Sequence, residues 1–334
     1  MTHDRAPTLD DVARAAGVHK ATASRALNPA TRDQVRAETA RRITVAARRL
    51  GYVPNTIARG LRTSRTAAVG VLIPDLTNPL FPPIVRGIQD RLEQNGYTAL
   101  LVNTDGDEAR ERAEFAALRS RRVEGFIVAT ARRRHPLLTE AVREQISFVT
   151  VNRSVELPGV PAVVGDDADG VTQAVAHLRS LGHTRIAHLA GPQDLSTGAV
   201  RLRAFQHAAP SSPVVECAAY TEAAGRTAAG HLFEHFADTT AIVAGNDLIA
   251  LGALAVICAR GRSCPRDVSV VGYNDMPFAD RFRPPLTTVH VPHHEMGAQG
   301  AQLLLERLRD PGSPARTVLL PARLTVRGST APVR

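Results

Sequence analysis

From residue 66 to the C-terminus, short apolar runs alternate with segments of helical periodicity. The runs read "AAVGVLIPD", "TALLVNTD", "GFIVAT" and "SFVTVN", then "AVVGDD", "RIAHLAG", "AIVAGND" and "VSVVGYND". Between them lie amphipathic stretches such as "FPPIVRGIQDRLEQNG", "DEARERAEFAALRSRRV" and "GVTQAVAHLRSLGH". A strand that is apolar on both faces must be covered on both faces, which predicts parallel sheets sandwiched between helices. About ten such strands predict two doubly wound subdomains rather than one sheet. Ligands of open parallel sheets sit beyond the carboxyl ends of the strands. Those ends read Asp75, Asn103, Thr130, Asn152, Asn246-Asp247 and Asn274-Asp275, so polar groups gather where a cleft would form.

The first fifth of the chain follows a different rule. The net charge is +9, and residues 1–65 hold 13 Lys/Arg against 5 Asp/Glu, leaving the rest nearly neutral. A small basic module on a neutral body is the electrostatic footprint of nucleic-acid binding. In "TLDDVARAAG", Thr8 and Asp11 match a capping box, and Leu9, Val12, Ala13 and Ala16 share one helical face. Gly17 stands where that helix would end in the left-handed conformation. A second helix runs from about Lys20 to Leu27 and stops at Asn28-Pro29. Two short helices around a glycine turn predict a helix-turn-helix, with an ordinary helical hairpin as the plainer alternative. A third helix spans Ala37 to Leu50, and Asn55 can cap a short helix over "TIARGLR". That last helix is marginal alone, since Gly60 interrupts it.

Other classes are disfavoured. The N-terminus lacks the apolar core of a signal peptide, and no run approaches the ~20 apolar residues of a membrane span. Cys217, Cys258 and Cys264 lack zinc spacing and read as structural thiols of a reduced, cytoplasmic protein. There is no GxGxxG after a strand, no GxxxxGK[ST] and no GxSxG, so no cofactor is expected. "HVPHHE", with His290, His293, His294 and Glu295, has no zinc signature, and no metal is expected there.

The motifs together resemble the lactose-repressor (LacI/GalR) family of bacterial transcription regulators. "TLDDVARAAGVHKATASRALNP" is similar to its DNA-reading unit and "GYVPNTIARGLRT" to its hinge helix. "VGVLIPDLTNPLF", "HLRSLGHTRIAHLAGP", "AIVAGNDLIALGAL" and "DVSVVGYNDMPFA" are similar to successive blocks of its core. The similarity spans about residues 7 to 330 and implies no enzyme. It implies a small all-α helix-turn-helix DNA-binding domain followed by an α/β periplasmic-binding-protein-like core of two doubly wound parallel-sheet subdomains. The implied boundaries are 1–53 for DNA binding and 54–66 for hinge and linker. They are 67–161 plus 291–320 for the first core subdomain, and 162–290 plus 321–334 for the second.

Carried over residue by residue, the resemblance implies DNA contacts at Thr8, His19, Lys20, Ala21, Thr22, Ser24, Arg25 and Asn28. In the hinge it implies Asn55, Ala58, Leu61 and Arg62. Leu61 would wedge into the minor groove at the operator centre, or else pack within the linker. Lys20, the chain's one lysine, would read a base edge or contact a phosphate. The family usually has Ser where His19 and Arg36 stand, and both are poorer N-caps that could reach phosphates instead.

For an effector in the cleft the resemblance implies Asp75, Phe81, Asn152, Arg153, Thr197, Arg201, Tyr220, Asn246, Asn274 and Asp275. Phe81 and Tyr220 would cover the apolar face of a sugar or a related polar molecule, or else belong to the core. Arg201 would bind the effector, or else make an ion pair. The implied partners are double-stranded operator DNA, a small-molecule effector and a second copy of the chain, with no membrane. A dimer would set two recognition helices in successive major grooves of a near-palindrome. A transporter's solute-binding protein would need a signal peptide and no basic module. An enzyme on the same scaffold would need a catalytic set that the strand ends do not provide.

Overall fold

The structure, a computed structural model, describes residues 7–28, 31–52 and 66–333. It separates into an N-terminal unit ending at Thr66 and a larger unit beginning at Ala67.

In the smaller unit, α1 (Leu9–Ala15) and α2 (Lys20–Ala26) are joined through Gly17 at φ +61, and α3 (Ala37–Arg49) packs on both. The capping box forms: the Thr8 amide donates to Asp11 Oδ2 at 2.9 Å and the Thr8 hydroxyl at 2.6 Å. The Asp11 amide reaches back to Thr8 Oγ1 at 3.4 Å. The core is made of small residues, with Val12, Ala13, Ala16, Ala23, Ala26, Ala40, Ile43 and Ala47 buried. Alanines let short helices approach closely without side-chain ordering entropy. His19 does cap α2, its Nδ1 accepting from the Ala21 amide at 3.3 Å, whereas the Arg36 side chain caps nothing.

The larger unit holds two six-stranded sheets. The first contains β1 (Ala68–Ile73), β2 (Thr98–Asn103), β3 (Gly125–Val128), β4 (Phe148–Val151), β5 (Ala162–Gly165) and β11 (Thr317–Leu320), in the order β11-β5-β4-β3-β1-β2. Every pairing in it is parallel. The second contains β6 (Ile186–Ala190), β7 (Val214–Glu216), β8 (Ala241–Ala244), β9 (Ser269–Asn274), β10 (Thr287–His290) and β12 (Arg323–Thr325), in the order β12-β10-β9-β8-β6-β7. Only its β10–β12 pair is antiparallel. Helices α4 (Phe81–Gln94), α5 (Glu108–Ser120) and α6 (Pro136–Arg143) cover the first sheet, and α7 (Asp167–Ser180), α8 (Ser196–Ala208), α9 (Glu222–His235) and α10 (Asp247–Ala259) the second. Late in the chain, α11 (His293–Arg309) returns to lie along α4.

The strands β1, β3, β4, β8 and β9 are buried almost throughout, as a doubly covered parallel sheet requires. Among the described residues there are twelve strands, not about ten, because β7 and β12 are three residues long and carry too little apolar pattern to show in the sequence. The chain leaves the first sheet after Gly165, not at Pro161. The "AVVG" run pairs with β4 and β11, and its sheet is decided by that long-range register rather than by its own composition. The chain crosses back between His290 and His293, and again between Leu320 and Arg323.

Candidate functional site

The smaller unit presents a basic face on α2. His19, Lys20, Ala21 and Arg25 are exposed, while Thr22, Ser24, Asn28 and Thr8 are half-buried. Lys20 Nζ lies 2.7 Å from Asp10 Oδ2, with both side chains more than half exposed. Such a pair contributes about 0–1 kcal/mol, so a stronger acceptor can take the ammonium at little cost. Asn55, Ala58, Leu61 and Arg62 lie outside the described residues.

The larger unit presents a cleft where the carboxyl ends of the two sheets meet. Asn152 follows β4, Asn246 follows β8 and Asn274 ends β9. Asn152 (φ +65) and Asn274 (φ +106) have positive φ, a region asparagine enters more easily than most residues, and this turns the chain at the strand ends. Arg153, Thr197, Arg201 and Tyr220 share the cavity with these three amides, and Asn78 and Leu80 complete its lining. The cavity is about 20 Å³. That is far below the roughly 300–1,000 Å³ of pockets that hold drug-sized ligands, so admission of an effector requires the halves to part.

One wall is tied together internally. Arg201, buried on α8, donates to Asp167 Oδ1 from Nε at 3.0 Å and Nη2 at 2.9 Å, and to the Gly245 carbonyl from Nη1 at 2.7 Å. Its guanidinium also lies 3.7 Å from the centroid of Tyr273. Burial opposes the charge on Arg201, but the Asp167 carboxylate beside it more than compensates and raises its pKa. Tyr220 donates to Thr197 Oγ1 at 3.0 Å, and its ring rests on Gly191, where a Cβ would stand 2.3 Å from the ring. Asn246 caps α10, its Oδ1 accepting from the Ile249 amide at 2.8 Å. Behind it, the buried Asp247 accepts from the Met276 amide at 2.7 Å and from the Thr288 hydroxyl, and burial pushes its pKa up to about 7.

The opposite wall offers Arg153. Its Nε is sealed from solvent and meets no hydrogen-bond partner, and burial depresses its pKa. Three contacts clasp the two halves beside it. The Arg133 amide donates to the Asp194 carbonyl at 2.8 Å, Arg133 Nη1 to the Gln193 carbonyl at 3.0 Å, and the Ser154 amide to Ser196 Oγ at 2.9 Å.

Three residues expected in the cleft are elsewhere. Phe81 opens α4 with its ring in the core of the first sheet, 1% exposed, and the preceding turn supplies Asn78 and Leu80 instead. Asp75 turns back on its own loop, accepting from the Thr77 amide at 2.8 Å and hydroxyl at 2.7 Å. Asp275 is engaged by Arg327 at 2.7 Å and His290 at 3.1 Å. Sequence reading missed Asp167 and Tyr273, which hold Arg201. The signal available was the doubled Asp166-Asp167 at a strand end: Asp166 caps α7, leaving its neighbour free for another role.

The histidines of "HVPHHE" go separate ways. His290 pairs with Asp275, His294 with Asp90, and His293 is buried with an unpartnered Nε2. No cluster of three or more metal-ligating side chains occurs among the described residues. No described helix is long and apolar enough to cross a membrane.

Residues 8–55 match the family model for bacterial regulatory proteins of the lacI family, and residues 175–330 match a periplasmic binding protein-like domain. The ribose operon repressor of Bacillus subtilis (strain 168) is 33% identical over 97% of this chain and 98% of its own length. Among solved structures, the transcriptional regulator CelR in complex with cellobiose is 31% identical, with a TM-score of 0.74 over 97% of this chain and 99% of that one. The Lac repressor dimer bound to operator and an anti-inducer is 26% identical, with a TM-score of 0.85 over 98% of this chain and 100% of that one.

Proposed function

This chain belongs to the lacI family of bacterial regulatory proteins, and from that premise we infer a ligand-responsive transcription regulator that represses by binding a near-palindromic operator as a dimer. One observation carries the reading: a single chain joins a basic helical unit, with Lys20, Ala21 and Arg25 exposed on α2, to a cleft whose polar lining comes from both sheets. The helical unit supplies operator recognition through the major groove. The cleft supplies the control, because a ligand that binds only one arrangement of the halves shifts the population toward it. Coupling of ~1–3 kcal/mol, typical of allosteric systems, is enough for a several-fold to hundredfold change in operator affinity.

The ribose and cellobiose in the names of its relatives support a sugar or a related small polar molecule as effector. The set proposed to contact it is Asn152, Arg153, Thr197, Arg201, Tyr220, Asn246 and Asn274. For DNA the proposal keeps Thr8, His19, Lys20, Ala21, Thr22, Ser24, Arg25 and Asn28, with Asn55, Ala58, Leu61 and Arg62 from the hinge. The domain limits proposed are residues 1–53, a hinge at 54–66, and two core halves that exchange chain at the crossovers given above. As a family of DNA-binding regulators has no use for turnover, the chain is proposed to work in the cytoplasm without catalysis or cofactor.

The test is operator selection with the full chain over a salt series, followed by titration of candidate sugars. A preferred near-palindrome that is released or tightened by a sugar supports the reading. Equal binding to random duplex at all salt concentrations rejects it. Leu61→Ala is expected to weaken specific binding while leaving the fold intact, and unchanged operator affinity would remove the wedge.

A further inference from the structure

The side chains lining the cleft are unusual in what they can accept. Asn78, Asn152, Asn246 and Asn274 offer amides, Thr197 and Tyr220 offer hydroxyls, and no carboxylate lines the cavity. Part of that capacity is spent already: Tyr220 donates to Thr197, and Asn246 Oδ1 caps α10. Neutral sugar hydroxyls are donors as well as acceptors, and a carboxylate is the strongest acceptor a protein can set against them. This cleft withholds it. Of the acids nearby, Asp167 is paired to Arg201 and Asp275 to Arg327, while the exposed Asp194 lies 3.9 Å from Arg132.

Donors, by contrast, are in surplus. Arg201 and Asp167 cancel as charges, which leaves Arg153 as the cation of the lining without an ion pair among the described residues, its charge favoured at a distance by Asp194 and opposed by Arg132 and Arg201. The Arg153 Nε is closed off from water and unpartnered. The residue as a whole is half-buried and its two Nη groups are not sealed, so the guanidinium is partly dehydrated and gains most from a ligand that brings negative charge. Its planar fork fits the two oxygens of a carboxylate or phosphate in a way an ammonium does not.

We propose that the effector is an anionic polyhydroxylated molecule, with a carboxylate or a phosphate monoester on a sugar-sized frame, and that Arg153 receives the anionic group. The amides and hydroxyls of the lining then serve its hydroxyls, and the ligand's negative charge offsets that of Arg153. This rests on the reading of the cleft as an effector site and narrows the class of effector.

The experiment uses the full chain and matched pairs: glucose with glucose 6-phosphate and gluconate, galactose with galacturonate, ribose with ribose 5-phosphate. Melting temperature and calorimetric titration are read for the unmodified chain, Arg153→Met and Arg153→Lys. The expected result is binding of an acid or phosphate ester with its neutral counterpart at least tenfold weaker. Arg153→Met is expected to lose on the order of ten- to a hundredfold in affinity for that anion, as for a charge-assisted hydrogen bond, and Arg153→Lys to lose less. Without ligand, Arg153→Met is expected to melt at or above the unmodified chain, because a half-buried cation with a sealed, unpartnered Nε is gone.

The proposal is overturned if a neutral sugar binds more tightly than its acid, or if no anionic member of the panel binds. It is also overturned if the anion's effect survives in Arg153→Met, since binding then belongs to the basic helical unit. Release of operator by a neutral sugar would remove the anion while keeping the regulator. Absence of any operator preference would remove the regulator while leaving anion binding readable by melting.

Discussion

The two walls of the cleft differ in how much of their hydrogen bonding is already spent. On the α8 side, Arg201 is held by Asp167, the Gly245 carbonyl and the Tyr273 ring, Tyr220 is tied to Thr197, and Asn246 is a helix cap. On the β4 side, Arg153 has no such tether. The first wall is preorganised and loses little freedom when a ligand arrives, which favours affinity. The second keeps its donors available, so on the proposed reading of the cleft it is the side expected to decide ligand identity. Residues that look equivalent as a list of cleft contacts therefore have different work, and substitution should separate them.

The largest separation is expected at Asp167→Ala. It leaves Arg201 as a buried charge without its counterion, a change that costs about 3–5 kcal/mol in comparable sites. Urea unfolding of the variant should show a loss of that size together with a lost effector response. A loss under about 1 kcal/mol would mean that Arg201 is held by Gly245 and Tyr273 alone, and the contrast between the walls would weaken.

Acidification probes buried groups in both halves. His188 is buried in β6, with Nδ1 2.8 Å from the Val243 carbonyl and Nε2 unpartnered, and burial lowers its pKa to about 4. His293, at the second crossover, falls to about 3 for the same reason. Both are neutral in the fold but charge in the unfolded chain below its ordinary value near 6.5. Their contribution is therefore complete above pH 6.5 and is lost as pH falls toward 4. Asp247 acts in the opposite sense: with its pKa raised to about 7, the fold takes up a proton first, so its contribution grows as pH falls from 7 to 4. Each of these histidines alone can contribute up to about 1.4 kcal/mol per pH unit between 6.5 and its folded pKa. His177 and His183, also lowered by burial, act in the same sense, and Asp167, raised by burial, sides with Asp247. His188→Leu should flatten the slope of stability against pH between 6.5 and 4. An unchanged slope would mean that His188 is protonated in the fold.

The helical unit repeats the contrast on a smaller scale. Thr8 is committed to its capping box, whereas Lys20 is held only by an exposed pair with Asp10. Lys20→Ala should cost ~1–3 kcal/mol at one base pair per half-site and relax preference there. A uniform loss on every sequence, with a shallower salt dependence, would make Lys20 a phosphate contact. Asp10→Ala should change stability by less than about 1 kcal/mol.

How far this could be read from sequence depends on the range of the interaction. The helix-turn-helix was legible because its signals are local: Thr8 and Asp11 are three residues apart, and Gly17 marks the turn. The two doubly wound sheets were legible because their central strands bury both faces and so read as unbroken apolar runs. The placement of "AVVG" in the first sheet was not, since it depends on pairing with β11, some 150 residues later. Phe81 failed for a related reason. The sequence puts an aromatic next to the cleft but does not say which way the first turn of α4 faces, and the core took the ring. Asp167 was hidden because two adjacent aspartates look alike until one is seen to cap a helix and the other to face Arg201 across 34 residues.

The smallest expected effect bears on how the two walls come together. Arg133 reaches across the mouth of the cleft with its amide on Asp194 and its Nη1 on Gln193, while Nε holds Glu156 at 2.7 Å on its own side. These bonds exist only when the halves are close, so they favour the closed arrangement without touching the cavity lining. Arg133→Ala keeps the amide bond and removes the side-chain one, about 1 kcal/mol for a single hydrogen bond. That predicts a roughly fivefold weaker affinity for whichever panel member binds, because closure now draws on fewer contacts. Calorimetric titration measures it. Arg133→Pro, which also deletes the amide donor, should weaken binding further. If both variants bind as tightly as the unmodified chain, closure owes nothing to this clasp, and the energy that joins the walls must come from the ligand between them.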